Sequence, residues 1–206
     1  MARRPVANPE QTRSAAFCPS AQTAADGFIA LTKTGGDLIR VHEIHHQANR
    51  VVRVVTHFDN GEAHARLLFE GLIEIENQKS GIVWTPANDL NALFPLAVGT
   101  KLECVFQVSA PRETSYVTHR EYHVAKKVKT RLGVCEYAAF EIEERGWNAS
   151  DRYGPMYLGT RIYAPDLKFV VDFKVGKHGK VTADHTLAPL SELFAAVATL
   201  RKGGKS

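Results

Sequence analysis

His42-Glu43-Ile44-His45-His46 spells H-E-x-x-H, the spacing with which a helix sets two imidazoles on one face and a glutamate over a metal-bound water. In that arrangement His42 and His46 would ligate zinc, and Glu43 would act as general base on a water whose pKa the metal lowers to about 7. A third ligand is required, and Glu70 and Glu74 stand at workable separations. Read as a strand, the same letters put His42 and His46 on one face and Glu43 on the other, and the motif's geometry fails. The flanks favour the strand. Gly35-Gly36 before and Asn60-Gly61 after place residues 37–46 in a meander, although Leu38, Val41, Ile44 and Ala48 also permit a helix. Residues 67–76, which hold both candidate third ligands, read as strand and not as the second helix that a glutamate-ligand zincin uses. The reading adopted assigns no catalytic residue, no metal and no cofactor. Its alternative is a zinc metallopeptidase using His42, Glu43 and His46.

His119, Glu121 and His123 form a second set, because alternate strand positions bring three metal-ligating types to one face. Arg120 and Lys126 beside them give no sign of a closed ligand shell, so the set reads as a charged, solvated face. The chain has no G-x-S-x-G elbow, no phosphate-binding loop and no G-x-G-x-x-G, which leaves acyl transfer, phosphoryl transfer and dinucleotide chemistry without support. Trp84 and Trp147 lie beside loops, where they serve either as a ligand platform or as core edges. Lys174, Lys177, His178 and Lys180 read as a hairpin tip, and Asn148-Ala149-Ser150 as an incidental glycosylation sequon.

These residues are carried by short β-branched segments. From Phe28 onward such segments alternate with turn signals, the pattern of antiparallel strands. Asn60-Gly61 joins Val51–Phe58 to Ala63–Phe69 as a hairpin, since both residues accept the positive φ of a tight turn. Thr85 as cap and Pro86 as first helical residue predict a short helix there. Leu102, Cys104, Phe106 and Val108 alternate with polar neighbours, which makes Cys104 a core thiol. Over 116–130, Tyr122, Val124 and Val128 share one face, and His119, Glu121, His123 and Lys127 the other. Gly133 turns that strand into the next. Phe169, Val171, Phe173 and Val175 oppose Lys168, Asp172 and Lys174, and after Pro189 the residues Leu190, Leu193, Phe194, Val197 and Leu200 recur at helical spacing.

In 206 residues, 44% hydrophobic positions supply one sizeable core or two small ones, and no linker after Phe28 separates two cores. The excess of 26 Lys and Arg over 22 Asp and Glu is too small and too scattered for a nucleic-acid module. No run reaches the roughly 18 to 20 apolar residues of a membrane-spanning helix. Residues 1–26, with Pro5, Pro9 and Pro19 and no sustained period, read as an extended arm, and 27–206 as one β-rich domain. The start carries the charge of a signal peptide, but residues 6–22 are polar and broken by prolines. Two compartments therefore stay open: the cytosol, or export with the native leader replaced. Cys18, Cys104 and Cys135 have no C-x-x-C spacing, and their odd number leaves at least one thiol free in a monomer.

From about residue 71 to 175 the text resembles a family of bacterial, mostly proteobacterial, exported proteins known only as a domain of unknown function. The resemblance is carried by Gly71-Leu72, by Asp89-Leu90-Asn91-Ala92-Leu93-Phe94-Pro95-Leu96 with Val98-Gly99, and by Leu132-Gly133-Val134-Cys135-Glu136-Tyr137 with Phe140-Glu141-Ile142-Glu143. Tyr163-Ala164-Pro165-Asp166-Leu167 leading into Val170-Val171 completes it, and Phe17-Cys18-Pro19 with Asp26-Gly27-Phe28 extends it toward the start. The resemblance implies a periplasmic or exported β fold and no established activity. It also implies a disulfide between Cys18 and Cys135, which would staple the arm to the sheet and leave Cys104 free. Such a bond would not form in a reducing cytosol.

The fold expected is mainly β, a curved antiparallel sheet forming an open barrel or sandwich, with one short helix and a C-terminal amphipathic helix. The function expected is that of a non-catalytic envelope domain binding an apolar ligand, an envelope component or a protein partner, with no nucleic acid and no transmembrane segment.

Overall fold

The computed structural model describes residues 16–34, 37–149, 157–175 and 184–203. After a single helical turn, α1 (Ala21–Ala24), the chain passes through β1 (Phe28–Thr34), β2 (Asp37–His46), β3 (Val51–Phe58), β4 (Ala63–Phe69), β5 (Ile73–Asn77) and β6 (Ile82–Pro86). It continues through β7 (Lys101–Ser109), β8 (Tyr116–Leu132), β9 (Cys135–Asn148), β10 (Tyr157–Ala164), β11 (Phe169–Val175) and β12 (Asp184–Pro189), and ends in α2 (Leu193–Gly203). Short 3-10 helices at Leu90–Leu93, Pro165–Leu167 and Leu190–Glu192 precede β7, β11 and α2.

All strands join one antiparallel sheet in the order β11-β10-β9-β8-β7-β6-β5-β4-β3-β2-β1-β12. Strands β1 to β11 neighbour each other in chain order, so short turns suffice to connect them. β12 returns to pair with β1, from Phe28↔Pro189 to Lys33↔Asp184. The two outermost strands, β11 and β12, face each other across a seam, and the sheet is a nearly closed barrel. Its closure is visible in the packing. Phe28, Ala30, Ile44, Val54 and Leu68 from one half share a buried cluster with Phe169, Val171 and Leu187 from the seam strands. A second cluster, including Leu72, Leu93, Phe106, Tyr122, Ile142 and Tyr163, fills the other half.

β1 is buried on both faces. Phe28 and Ala30 point into the barrel, while Ile29 and Leu31 join Val41, Ala188, Leu193, Val197 and Leu200 outside it. α2 therefore lies over β2 and β3 with its apolar stripe inward, in one cluster with Ile29, Val41 and Ala188. Phe194, which the helical spacing also placed in that stripe, is instead 88% exposed. At 100° per residue it stands off the row of Leu193, Val197 and Leu200.

Two local expectations are corrected. Thr85 and Pro86 do not begin a helix: both belong to β6, paired with Gln107 and Phe106, and the helix over Leu90–Leu93 is capped by Asp89. Proline is tolerated at a strand end as well as at a helix start, and the ladder to β7 decides between them. Val128 does not share a face with Tyr122 and Val124, because the register shifts between Val124 and Lys126. Val124 pairs with Ile142 and Val128 with Ala139, partners three apart that face opposite ways.

The arm leading to β1 is tied down. Cys18 and Cys135 form a disulfide with Cα atoms 5.5 Å apart. Ser20 caps α1, the Tyr137 hydroxyl donates to the Pro19 carbonyl at 3.1 Å, and Ala24 is fully buried. Cys104 is the buried free thiol, its pKa pushed up to about 12 by burial. No helix of the described residues is long and apolar enough to cross a membrane.

Candidate functional site

The H-E-x-x-H residues lie on β2, a strand paired along its length with β3. The zinc-binding helix of the alternative reading is not formed, and strand alternation sends Glu43 to the face opposite His42 and His46. His42 points inward between two hydroxyls, with Nδ1 3.0 Å from Thr56 Oγ1 and Nε2 3.1 Å from Thr32 Oγ1. Burial, with the nearby cations, lowers its pKa to about 3, so it is a neutral imidazole donating to one threonine and accepting from the other. Thr32 Oγ1 also lies 3.1 Å from His185 Nδ1. Glu43 points outward and accepts from His45 and His57. Against the opposing push of burial, those two bonds hold its carboxyl below the usual range. His46 reaches the Leu167 carbonyl at 3.2 Å.

The two candidate third ligands are also engaged elsewhere. Glu70 pairs with Arg50 and Lys168, and Glu74 accepts from Asn77 at 3.2 Å. On the outer face of β8, His119 meets Glu103 at 2.8 Å and stacks on Trp147, while His123 meets Glu143 at 3.0 Å. Among the described residues no group of three or more His, Cys, Asp or Glu is arranged to hold a metal. Lys174 pairs with Asp172 at 3.5 Å. Lys177, His178, Lys180, Gly35-Gly36 and Ser150 of the sequon lie outside the described residues.

The geometry converges at a different place, where the barrel wall parts. β5 and β6 share two residue pairs, Glu76↔Val83 and Asn77↔Ile82, whereas each other ladder has at least four. The partners on either side continue: β4 pairs with β5 up to Ile73, and β7 pairs with β6 up to Pro86. Between the diverging strands lies a cleft of about 390 Å³. Phe69, Ile75, Trp84, Pro86 and Leu90 give it an apolar lining, and Glu76, Asn88, Asp89 and Asn91 a polar rim. The Arg120 guanidinium lies 4.9 Å from the Trp84 ring centroid and braces it from one side.

Beside this cleft stands a charged hub. The Arg50 guanidinium lies 5.1 Å from the Phe69 ring and 5.2 Å from the Phe94 ring, and donates to Glu70 and Asn91. Glu70 also takes Lys168 at 2.9 Å, and the Tyr163 hydroxyl donates to the Glu70 carbonyl at 2.6 Å. Burial opposes ionisation of Glu70, yet the two cations hold its carboxyl below the usual range. All three charged residues have left-handed backbone, with φ of 63° at Arg50, 51° at Glu70 and 46° at Lys168. Each such non-glycine position costs roughly 1 kcal/mol or more, so the surroundings hold the triad against its backbone preference. Another cavity, of about 500 Å³, is lined by Phe94 with Arg50, Glu70, Leu96, Phe140 and Tyr163.

Of this site, sequence reasoning singled out Trp84 as a possible platform and missed Phe69, Ile75, Leu90 and Arg50. Asp89 was within reach, since an Asp two residues before an amide is an ordinary capping signal.

No protein-family model matches the chain, and no curated protein matches it. Among solved structures it is similar to the hypothetical lipoprotein YmcC from Escherichia coli, with a TM-score of 0.46 and 12% identity over 83% of this chain and 90% of that one. A likeness of that degree transfers neither a family nor an activity.

Proposed function

We propose that this protein is a non-catalytic domain of the bacterial cell envelope that binds an apolar group of its partner in the cleft between β5 and β6. The observation that carries the reading is the interrupted ladder. Apart from the unpaired β11–β12 seam, the other neighbouring strands of the described sheet pair at length; between β5 and β6 the ladder stops, and there Phe69, Ile75, Trp84, Pro86 and Leu90 line a cleft of about 390 Å³. A mostly apolar concavity with a few fixed polar groups at its rim is what a ligand site requires. The disulfide between Cys18 and Cys135 supports the compartment, because such bonds persist where the surroundings are oxidising. The resemblance of residues 71–175 to exported proteins supports it too.

The test is a titration with the apolar fluorophore N-phenyl-1-naphthylamine. Saturable binding is expected, weakened at least tenfold in Val83→Arg, whose side chain would enter the cleft from an already exposed position. Equal binding by both proteins would place the fluorophore elsewhere and refute the assignment.

A further inference from the structure

The cleft has walls of an unusual kind. Ile73 and Glu74 of β5 pair with β4, and Ile75 is bulged out of that ladder; among the described residues none of the three has a partner on β6, and residues 84–86 of β6 pair with β7 but have none on β5. Two extended backbones thus face each other across the gap with their ladders unfinished. An unpaired strand edge is a template for another extended chain, which gains main-chain hydrogen bonds from it. Pro86 brings no N–H to its edge, so donors must come from earlier residues of β6 or from β5.

The side chains add selectivity. Ile75 and Phe69 on one side, with Trp84 and Leu90 on the other, offer apolar surface to alternate residues of an inserted strand. The rim is acidic: Glu76 and Asp89 are its charged members, and among the described residues neither Lys nor Arg lines the cleft. Asp89 spends one carboxylate oxygen on Asn91, accepting from its backbone at 2.9 Å and its side chain at 2.7 Å. Glu76 has no ion pair among the described residues. This is a local reversal in a chain whose net charge is +4.

We infer that the gap between β5 and β6 receives an extended polypeptide segment of a partner protein, which adds a strand to the open edges, sets alternate apolar side chains into the cleft and presents a Lys or Arg to Glu76 and Asp89. The inference rests on the cleft being the binding site and names the partner that fits it. A small apolar molecule would use the lining but neither the edges nor the acidic rim.

Peptide-side changes test this without altering the protein. The probe is acetyl-Lys-Leu-Val-Leu-Lys-amide, titrated against the whole chain by isothermal calorimetry, beside a version N-methylated at alternate backbone nitrogens and a version with Glu for Lys. The expected result is saturable binding of the parent, at least tenfold weaker for the N-methylated peptide and at least fivefold weaker for the Glu peptide. The second ratio should shrink in Glu76→Gln. Equal affinity for the parent and N-methylated peptides would overturn strand addition. Binding of N-phenyl-1-naphthylamine in the cleft with none of the parent peptide would overturn the partner class while leaving the cleft a binding site. Binding of neither would remove both readings.

Discussion

His42 is a buried base with no acid to pair with among the described residues, and its burial bears on stability. Its pKa is about 3 in the folded chain against 6.5 for a free histidine. Below pH 6.5 the unfolded chain takes up a proton that the folded chain refuses, so stability falls as pH drops from 6.5 toward 3. His46 and His185, also lowered chiefly by burial, act in the same direction. From pH 7 to pH 4, His42 alone should cost about 3 kcal/mol. Urea unfolding midpoints measured across that range should decline, and His42→Gln should remove most of the decline. A mutant as acid-sensitive as the parent would show that the lability arises elsewhere. This residue also shows what single letters conceal. Histidine in a four-letter motif invites metal chemistry, and only the strand pairing places it between Thr32 and Thr56.

At the scale of elements, the turn after β4 is held by Gly71, with φ of 68° and with Lys168 packed against it. A Cβ there would stand 1.7 Å from the Lys168 carbonyl oxygen. Gly71→Ala is therefore expected to cost at least 2 to 3 kcal/mol, roughly the sum of a left-handed penalty and a backbone clash, and to loosen the Arg50, Glu70 and Lys168 hub. Thermal melting would check it, and a loss below about 0.5 kcal/mol would mean the turn can relax. On α2 the contrast is between neighbours in type. Leu200 is fully buried and Phe194 is 88% exposed, so Leu200→Ala should cost about 2 to 5 kcal/mol and Phe194→Lys almost nothing. Equal effects would contradict the docking of the helix. The alternation of Leu102 to Val108 and the Asn60-Gly61 turn made much of this sheet legible, because each is dictated by neighbours in sequence. The parting of β5 from β6 was not legible. It is a pairing that stops, and Thr85-Pro86 looked the same whether it opened a helix or closed a strand. Arg50, Glu70 and Lys168 come from three separate loops, and nothing in their spacing announces that they meet.

Across the whole molecule, the bond between Cys18 and Cys135 spans 117 residues and fastens the arm to the tip of the β8–β9 hairpin. By the chain-entropy estimate a loop of that length contributes about 5 kcal/mol, and native bridges typically contribute about 2 to 5. Replacing both cysteines with alanine should lower the unfolding free energy by an amount in that range while Cys104 stays unreactive to thiol reagents in the folded protein. Rapid labelling of Cys104 in the native state would contradict its place in the core. The barrel so fastened has an apolar interior, an unpaired β11–β12 seam and a wall parted between β5 and β6, where the proposed ligand site lies. The most direct measurement is a two-dimensional amide NMR titration of the labelled protein with N-phenyl-1-naphthylamine. Shift changes centred on Ile75, Trp84, Thr85, Asn88 and Leu90 are expected, with the Trp84 indole among the largest. Changes confined to α2 or to the outer face of β8, with the gap residues unmoved, would contradict that site.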